Sequence, residues 1–405
     1  MRRVLLLLPS ATYRAGDFLD AARALDAEVV VASERRLAIA GIMGGRTLTL
    51  DLRHPEEGAQ AIVELSQTKP LDAVLAVDDQ GLLIASLACT RLGLPHNPPE
   101  AVARTRNKVD MREALAAAGV PQPEFRAPRA GADLAAAASE VGFPCVVKPA
   151  PLSASRGVIR ADDPAGVQAV GARVRAILAE AKEDAHAELI VEGYLPGDEV
   201  AVEALLRAGR LEVLAIFDKP DPMEGPYFEE TILVTPSRHS EETRAEIARI
   251  AAAAAAALGL REGPVHAELR VRGARAWILE IAARSIGGLC SRALRFGVGA
   301  TLEEVILRHA LGLSLDDLER EAAASGVMMI PIPKSGLLQE VRGQEEAKAV
   351  SGIGGLEITI GPGRPVRTLP EGDRYLGFIF ARGRTPEEVE RALRIAHSRL
   401  DIDID

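Results

Sequence analysis

Two glutamates that face each other across a predicted β-hairpin constrain this chain more than any other feature. Residues 265–271 and 276–281 alternate apolar with polar side chains, which is typical of two half-buried strands. An odd-numbered loop centred on Ala274 would place Glu268 directly opposite Glu280, whereas a two-residue turn would put Glu280 on the other face. The pattern assigns one shared face to each strand: His266, Glu268 and Arg270 on the first, and Ala276, Ile278 and Glu280 on the second.

Opposed carboxylates need a group between them. With the odd-numbered loop, the Cβ atoms of Glu268 and Glu280 lie ~5 Å apart, and like charges at that distance destabilise a pair of strands. A shared proton, a bridging arginine or a hard divalent cation would relieve the repulsion. Carboxylate oxygens suit Mg²⁺ that is bound together with nucleotide phosphates, so a metal site is one of three alternatives for this hairpin.

The N-terminal quarter of the chain alternates strand and helix signals. The signals are apolar runs at 4–8, 28–32 and 73–77, with helical patterns at 17–25 and 82–92. Strand, helix and strand at this spacing predict a parallel sheet with crossover helices. Ligands of such sheets bind at the carboxyl ends of the strands. Those ends carry Pro9, Ser10, Asp78 and Asp79.

Two lysines stand where an unpaired cation is costly. Lys108 lies in the first turn of a helix capped by Asn107, where the helix dipole disfavours positive charge. It is either a solvated surface lysine or a group that reaches an anion. Lys148 ends a buried strand predicted over 141–148, so it needs a carboxylate or a phosphate as its partner. Small and hydroxyl residues with Arg156 follow at 150–157, and this composition lets backbone N–H groups approach phosphate.

A polar turn at 192–199 separates two apolar runs. Backbone donors and acceptors in a linker between lobes can hold an adenine edge, and Glu199 can accept hydrogen bonds from two vicinal hydroxyls. An ordinary β-turn with acidic corners explains the same residues, so the turn alone leaves both alternatives open.

Composition narrows the functional classes. The 405 residues carry a formal net charge of −10, which argues against a broad basic surface for nucleic acid. No apolar run approaches the ~18–20 residues that span a bilayer, and the apolar stretch at 4–8 is too short for a signal peptide. Three scattered cysteines form no metal or disulfide pattern and fit a reducing compartment. We therefore expect a cytoplasmic protein that contacts neither nucleic acid nor membrane.

The chain changes character again from residue 327. Short β-like runs at 328–332, 356–360 and 377–381 are separated by glycine and proline. A final helix is predicted at 386–400, ahead of an acidic tail. This mixture predicts a third lobe of the α+β type.

The order of these motifs resembles the ATP-grasp superfamily. Six motifs occur in the family's order within residues 1–312. The resemblance implies a fold of the α/β and α+β classes. This is an ATP-grasp fold with an N-terminal Rossmann-like (pre-ATP-grasp) domain at 1–104, an ATP-grasp domain at 105–312 whose two lobes hinge near 192–199, and a C-terminal α+β lid lobe at 313–405.

The same resemblance implies a role for each motif residue. Arg284 matches the arginine that faces the reacting phosphate and acyl oxygen, with Lys148 and His266 as its expected catalytic partners. For His266, a packed strand histidine is an equal alternative. Glu268 and Glu280 match the two magnesium-ligand carboxylates. The residues implied in nucleotide binding are Lys108, Lys148, Ser153, Ser155, Arg156, Gly157, Glu192, Tyr194, Leu195 and Glu199.

Within the superfamily the chain is similar to carboxylate–amine ligases that include bacterial L-amino acid (dipeptide) ligases. The similarity rests on Glu280-x-Ala-Ala-Arg284 in place of the more usual Glu-x-Asn-x-Arg, on a segment at 217–237 that resembles a substrate-side segment of that group, and on the third lobe, which acts as a lid in that group. It implies an enzyme that uses ATP and Mg²⁺, with Mn²⁺ as an alternative ion, and forms an amide or peptide bond through an acyl-phosphate. Ala282 leaves open whether one ion or two bind. The expected partners are a small-molecule carboxylate and a small-molecule amine, and a homodimer is compatible with the resemblance.

Two other functions stay open at this point. An ATP-grasp carboxylase or purine-pathway-type ligase would use bicarbonate or formate, although the chain has no biotinyl-lysine segment. A non-catalytic ATP-binding protein is the second alternative, and Ala282 is the feature that supports it. The substrate contacts are open as well: Asp78, Asp79 and Glu230 can orient an amino group and Arg106 a carboxylate, or each is structural.

Overall fold

The N-terminal part of the chain is a parallel sheet with helices packed on it. The computed structural model describes residues 1–35, 46–129 and 132–405. Its first elements are β1 (Arg3–Leu7), α1 (Ala15–Ala24), β2 (Glu28–Ser33), β3 (Thr47–Thr49), α2 (Pro55–Thr68), β4 (Ala73–Ala76), α3 (Leu82–Leu92) and α4 (Pro99–Arg106). The strand order is β3-β2-β1-β4 with parallel pairing throughout, so the predicted parallel sheet is confirmed. The apolar pattern does not predict β3 or α2.

A second, antiparallel sheet of four strands follows. Its segment contains α5 (Lys108–Ala117), β5 (Phe125–Arg126), α6 (Leu134–Val141), β6 (Cys145–Pro149), β7 (Ile159–Ala161), α7 (Pro164–Glu180) and β8 (Leu189–Gly193), in the sheet order β5-β8-β6-β7. The strand predicted over 141–148 begins later than expected. Val141 still belongs to α6, because the helix ends only at Gly142, whose φ of +86° suits a residue without a side chain.

The rest of the chain contains an eight-stranded antiparallel sheet and a smaller sheet of three strands. The remaining elements are β9 (Asp198–Arg207), β10 (Arg210–Lys219), β11 (Ile232–Thr235), α8 (Glu241–Leu258), β12 (Gly263–Arg272), β13 (Arg275–Ala282), α9 (Leu302–Ala310), β14 (Ala324–Ile330), β15 (Gly336–Arg342), α10 (Gln344–Lys348), β16 (Ile353–Ile358), β17 (Pro365–Val366), β18 (Gly377–Gly383), α11 (Pro386–His397) and β19 (Asp401–Ile404). The large sheet has the order β13-β12-β9-β10-β11-β14-β18-β16.

The large sheet crosses the predicted limit between the second and third domains. Strands β14, β16 and β18 come after residue 312 and yet extend the sheet that β9–β13 begin. The domain limits stay a prediction, and the third lobe is continuous with the second through backbone hydrogen bonds. The acidic tail is not loose either, because β19 pairs with β15 beside β17.

The β12–β13 hairpin reaches the predicted pairing by another route. Arg272 pairs with Arg275, so the turn has two residues and the expected odd-numbered loop is wrong. Further along, Leu269 pairs with Ile278 while Glu268 pairs with Glu280, which leaves Leu279 as an extra residue in β13. This β-bulge returns Glu280 to the face of Glu268.

The bulge also corrects the predicted faces of β13. Ala276 and Ile278 do not share a face with Glu280; both belong to the hydrophobic core. That core is built with the alanine-rich helix α8, through residues such as Ile250 and Ala254. One face of the hairpin therefore packs on α8, and the other carries the polar residues.

No helix in the ranges that the structure describes combines the length and the apolar character needed to cross a bilayer.

Candidate active site

A cavity of about 370 Å³ lies where the three parts of the chain meet. Its walls come from loops after β1 and β4, from β6, β8, β12 and β13, and from the segment before β18. The predicted site residues that line it are Lys108, Lys148, Ser153, Ser155, Glu192, Tyr194, Leu195, Glu199, His266, Glu268, Glu280 and Arg284. Arg156 and Gly157 are not among the lining residues.

The opposed carboxylates stand on the cavity wall. The side chains of Glu268 and Glu280 are 23% and 35% exposed. Lys108 Nζ lies 4.0 Å from Glu280 Oε1 and donates a hydrogen bond to the carbonyl of Leu152. Lys108 is buried at the first position of α5, so the alternative of a solvated surface lysine is wrong. The Asn107 side chain caps this helix as expected by accepting from the amide of Val109.

Lys148 has a carboxylate partner deep in the protein. Its Nζ lies 2.7 Å from Glu192 Oε2, and Arg112 Nε donates to Glu192 Oε1 at 2.7 Å. Glu192 is only 2% exposed. Burial acts to raise the pKa of Glu192, but the charges of Arg112 and Lys148 outweigh burial and lower it to about 2. The carboxylate is therefore ionised and fixes Lys148 at the cavity wall.

Arg112 was not expected as part of the site, and it connects two of its elements. Besides Glu192, its guanidinium donates to the carbonyls of Leu279 at 2.7 Å and Ile278 at 3.4 Å. It therefore holds the bulge that orients Glu280 while it also neutralises the partner of Lys148. Its spacing is the signal that sequence reasoning could have used, because Arg112 lies four residues after Lys108 and hence on the same helix face.

Lys219, which is not among the predicted site residues, occupies the centre of a carboxylate cluster. Oxygens of Glu199, Glu230 and Glu268 lie within 4.8 Å of one another. Lys219 Nζ lies 2.7 Å from Glu199, 3.3 Å from Glu268 and in contact with Glu230. Lys219 and Lys148 share a sequence signal, since each lies at the end of a strand and precedes a proline, although Asp218 separates Lys219 from the apolar run.

Burial and neighbouring charges have opposite effects on the pKa values of Glu230 and Lys219 in this cluster. Burial raises the pKa of Glu230 to about 7, with Lys219 opposing the rise and Glu268 adding to it. Burial works against the charge of Lys219, but Glu199 and then Glu230 and Glu268 hold its pKa well above the ordinary value. Lys219 is therefore a permanent ammonium group.

His266 bridges two carboxylates on the hairpin face. Its Nδ1 lies 2.6 Å from Glu203 Oε1, and its Nε2 lies 3.3 Å from Glu268 Oε1. Burial alone would lower the pKa of His266, but the hydrogen bonds with Glu203 and Glu268 raise it to about 9. The ring is thus a packed strand histidine that also lines the cavity, so the structure combines parts of both alternatives. Glu203 was missed, although a glutamate inside the apolar run of β9 is itself a signal.

Arg284 joins the hairpin to the N-terminal sheet. Its Nε donates to Asp79 Oδ1 at 2.9 Å, and its Nη1 donates to the carbonyl of Ser285 at 3.0 Å. Burial opposes the charge, but Asp79 and then Glu280 and Asp78 outweigh it and raise the pKa of Arg284. Arg14, also unexpected, donates to the Ser285 hydroxyl at 2.6 Å. The carboxyl end of β4 and the end of β13 thus form one charged wall.

The predicted adenine hinge forms an apolar slot. The ring of Tyr194 stacks on Phe228 with centroids 6.4 Å apart, and the guanidinium of Arg160 lies 4.7 Å from the Tyr194 centroid. Val146, Leu195, Met223 and Phe228 line the same part of the cavity. Glu199 lies beside this slot but is already held by Lys219 and, at 3.1 Å, by Arg270.

The predicted phosphate loop lines the cavity at its start and contacts the C-terminal part of the chain at its end. Ser153 and Ser155 line the cavity, and Ala154 and Ser155 have φ values of 57° and 54°. Gly157 instead donates its N–H to the carbonyl of Pro370 at 3.0 Å. Arg156 Nη1 lies 3.8 Å from Asp373. The end of this loop therefore contacts the C-terminal part of the chain.

Some of the predicted substrate contacts line the cavity and others do not. Asp78, Asp79 and Glu230 line the cavity, as does Pro9. Arg106 is exposed and outside the lining, so the structure gives no support to its role as a carboxylate anchor. Ser10 is also outside, and its backbone N–H donates to Glu34.

Comparison with known families matches three segments of the chain. Residues 141–293 match the model of an ATP-grasp domain. Residues 19–96 match an ATP-grasp N-terminal domain, and residues 328–405 match L-amino acid ligase C-terminal domain 2.

Relatives and solved structures agree with these matches. The alanine–anticapsin ligase of Bacillus subtilis (strain 168) is 29% identical over 249 residues, which is 57% of this chain and 52% of that protein. The solved L-amino acid ligase from Bacillus licheniformis has a TM-score of 0.81 and 25% identity, covering 100% of this chain and 99% of the other. The N5-carboxyaminoimidazole ribonucleotide synthetase from Thermotoga maritima has a TM-score of 0.72 at 17% identity, with 100% of each chain covered, and supports the fold alone.

Among the curated relatives that it matches, the chain spans 52% of the length of alanine–anticapsin ligase, and the share ranges from 30% to 75% in others. Its fold is nevertheless shared over its whole length with an L-amino acid ligase. The chain therefore contains an ATP-grasp domain at 141–293, and the proteins it resembles include alanine–anticapsin ligase and L-amino acid ligase.

Proposed function

We propose that this chain is an ATP-dependent carboxylate–amine ligase that forms an amide or peptide bond through an acyl-phosphate. The observation that carries the proposal is the cavity itself. It brings two opposed carboxylates, Glu268 and Glu280, together with Lys108, Lys148 and Arg284 in one cavity. Such a mixture of fixed charges suits phosphoryl transfer, where positioning and electrostatic stabilisation supply most of the catalysis.

The proposed reaction has two steps. A substrate carboxylate oxygen attacks the γ-phosphorus of ATP, the bond to the ADP oxygen breaks, and an acyl-phosphate forms. The amine nitrogen then attacks the acyl carbon, the carbon–oxygen bond to phosphate breaks, and the nitrogen loses a proton. Negative charge builds on the transferred phosphoryl group first and on the acyl oxygen second. In this proposal, Arg284 stabilises the charge on the transferred phosphoryl group and then the charge on the acyl oxygen.

Lys108 and Lys148 are proposed to hold the nucleotide phosphates. Both ammonium groups stand at the cavity wall with their carbon chains buried, and each is fixed by a protein oxygen. A cation that is already held costs little additional ordering when a phosphate arrives. The aromatic and aliphatic slot around Tyr194 is the proposed position of the adenine. Ser153 and Ser155 stay proposed phosphate contacts, whereas Arg156 and Gly157 have weaker geometric support.

Glu268 and Glu280 are the residues that would hold Mg²⁺. Their carboxylates oppose each other on adjacent strands and are partly open to the cavity, which fits a hard cation bound by oxygen. The cluster of Glu199, Glu230 and Glu268 fits less well, because the ammonium of Lys219 already stands among its oxygens. A bound divalent ion would neutralise phosphate charge in this position. The number of ions and the use of Mn²⁺ stay predictions.

Amino acids are the proposed substrates. Asp78 lines the cavity beside Arg284, and its side chain makes no hydrogen bond or ion pair within the described ranges. An ammonium group next to the reacting carboxylate would meet this free carboxylate. The acid and the amine themselves are unassigned, and the cytoplasmic location and the homodimer stay predictions.

The test is a screen for phosphate release. Purified protein with ATP and Mg²⁺ should release phosphate only when a suitable pair of amino acids is present, and the product should contain one new amide bond by mass spectrometry. Bicarbonate or formate should not replace the acid. Nucleotide binding without turnover on any acid and amine pair would support the non-catalytic alternative, and turnover with bicarbonate would support the carboxylase alternative.

A further inference from the structure

Arg374 differs from every other cation of the cavity. The other lysines and arginines in its lining each have a carboxylate within 4.0 Å in the described ranges: Arg14, Lys108, Lys148, Arg270 and Arg284. Arg374 lines the same cavity, yet its guanidinium makes no hydrogen bond or ion pair with any residue that the structure describes. Its positive charge is therefore available to a ligand.

The backbone around Arg374 is held on both sides. Glu371 receives two hydrogen bonds from Arg173, at 2.7 and 3.1 Å, and Pro370 accepts from the N–H of Gly157. On the other side, the carbonyl of Tyr375 accepts from the Thr359 hydroxyl at 3.2 Å. We call residues 367–375 the strap. These contacts place the backbone of Arg374 at the edge of the cavity, and its side chain is exposed there.

The surroundings of Arg374 distinguish it from the phosphate-binding cations. The ring of Tyr13 meets Phe378 edge to face at 5.8 Å, and Tyr375 lies 6.2 Å from the same ring. Burial raises the pKa of Tyr13 and the charge of Arg374 opposes the rise, so the guanidinium lies near this aromatic wall. Lys108 and Lys148 belong instead to α5 and β6.

On this basis, and resting on the proposed ligase function, we infer that Arg374 determines specificity for the amine substrate by binding a carboxylate that the amine carries. The acid substrate uses its carboxylate in the reaction at Arg284, whereas a second amino acid keeps its carboxylate throughout. That carboxylate enters a cavity whose lining contains more carboxylates than lysines and arginines. Without an unpaired cation it would be repelled, and Arg374 is the group that can attract it. A planar guanidinium also matches a carboxylate in a two-bond geometry.

The experiment compares an amine substrate with its own amide. The acid substrate is fixed, and kcat/KM is measured by phosphate release for the amino acids L-alanine and L-phenylalanine and for L-alaninamide and L-phenylalaninamide. In the variant Arg374→Gln, the preference for the amino acid over its amide should fall ~10- to 100-fold, as expected for a lost charged hydrogen bond. Arg374→Lys should lose less of the preference. The amino acid and its amide differ in the basicity of their amino groups. This difference is the same for variant and wild type, so it cancels when the two kcat/KM ratios are compared.

The matched control is Arg384→Gln, which removes an exposed arginine that pairs with Glu388 away from the cavity. It should keep the wild-type ratio. An unchanged preference for the amino acid over its amide in Arg374→Gln would overturn the inference. An equal loss of kcat/KM for the amino acid and the amide, together with a raised KM for ATP, would also overturn it, because that result would assign Arg374 to phosphate binding. No turnover of the wild type with any pair would overturn the proposed function and this inference with it. A thermal unfolding midpoint within the range of the control variant excludes misfolding as the cause.

Discussion

Glu268 and Glu280 lie opposite each other because Leu279 is an extra residue in β13. The two-residue turn alone would direct Glu280 towards the core that contains α8, and the bulge reverses that direction. Arg112 donates a hydrogen bond to the carbonyl of Leu279 and so stabilises the bulge. The candidate metal site thus depends on one local irregularity and on one buried arginine.

Replacing Glu280 tests the carboxylate pair. Glu280→Gln keeps the size of the side chain and removes one of the two charges that would hold Mg²⁺. We expect the affinity for ADP in the presence of Mg²⁺ to fall at least about tenfold, which is the scale of a lost charged contact. Calorimetric titration with and without Mg²⁺ measures this.

The matched control for Glu280 is Glu246→Gln, which removes an exposed glutamate paired with Arg249 on α8. It should bind as the wild type does. An equal loss of affinity with and without Mg²⁺ in Glu280→Gln would contradict the metal role.

Arg112 should be as important for folding as for the site. Arg112→Met leaves Glu192 buried with Lys148 alone and releases the carbonyls of the bulge. Removing one partner of a buried ion pair costs about 3–5 kcal/mol, so the thermal unfolding midpoint should fall by several degrees. Nucleotide affinity should fall as well, because both Lys148 and Glu280 lose support.

Arg249→Met is the comparison for Arg112, since it removes an arginine whose ion pair is exposed. It should leave both the midpoint and the affinity within error of the wild type. If Arg112→Met unfolds at the wild-type midpoint, the buried network around Glu192 does not stabilise the fold as described.

The sequence was sufficient for the residues whose chemistry shows in local patterns. Strand-end Lys148, the alternating residues of β12 and the apolar runs of the N-terminal sheet are all visible in short windows. The bulge at Leu279 is not visible, because it depends on pairing between strands and on the carbonyl contacts of Arg112. The odd-numbered loop was therefore the wrong reason for a correct pairing.

The partners of the charged residues were also beyond a single sequence. Glu203, His266 and Glu268 are separated by up to 65 positions and meet only when β9 pairs with β12. Asp79 and Arg284 meet across 205 positions, between the N-terminal sheet and the large one. Contacts over such separations are set by topology, and motif order predicts the superfamily but not these pairings.

Arg284 and Asp79 offer a test that separates chemistry from binding. Arg284→Met should lower the rate of phosphate release by about 10²- to 10³-fold, the usual cost of removing a group that stabilises transition-state charge. Affinity for ADP with Mg²⁺ should change less than about threefold, since Lys108 and Lys148 remain. Steady-state kinetics and calorimetry measure the two effects.

Asp79→Asn is the companion variant, because it keeps Arg284 and weakens the ion pair that positions it. It should lose less activity than Arg284→Met. A normal rate in Arg284→Met would show that another group meets the transferred phosphate.

The strap should become more mobile when its ion pair is removed. Arg173 and Glu371 are 43% and 29% exposed, so their pairing contributes little to global stability. Glu371→Gln should instead speed amide hydrogen exchange in residues 367–375 by about two- to fivefold. Glu321→Gln, which removes the surface partner of Arg382, is the control and should leave exchange in the strap unchanged. Unchanged exchange in Glu371→Gln would mean that the strap is held without this ion pair, through contacts such as the Gly157–Pro370 and Thr359–Tyr375 hydrogen bonds.

Glu192 should make the stability of the fold depend on pH in the acid range. Its pKa is about 2 in the folded chain and 4.5 in its ordinary state. A carboxyl group whose pKa is lowered by folding stabilises the fold above its ordinary pKa, and the contribution disappears as the pH falls towards the folded value. The shift corresponds to about 3 kcal/mol, present above pH 4.5 and lost progressively down to pH 2.

Glu192→Gln cannot ionise, so it lacks this contribution at every pH. The difference between the unfolding midpoints of wild type and Glu192→Gln should therefore be large at pH 7 and should narrow as the pH falls from 4.5 towards 3. Glu140→Gln, which removes an exposed glutamate paired with Arg126, is the control and should unfold close to the wild-type midpoint at pH 7. A difference for Glu192→Gln that stays constant from pH 7 to 3 would mean that Glu192 is not held ionised by Arg112 and Lys148, and Lys148 would then lack the fixed partner on which its place at the cavity wall depends.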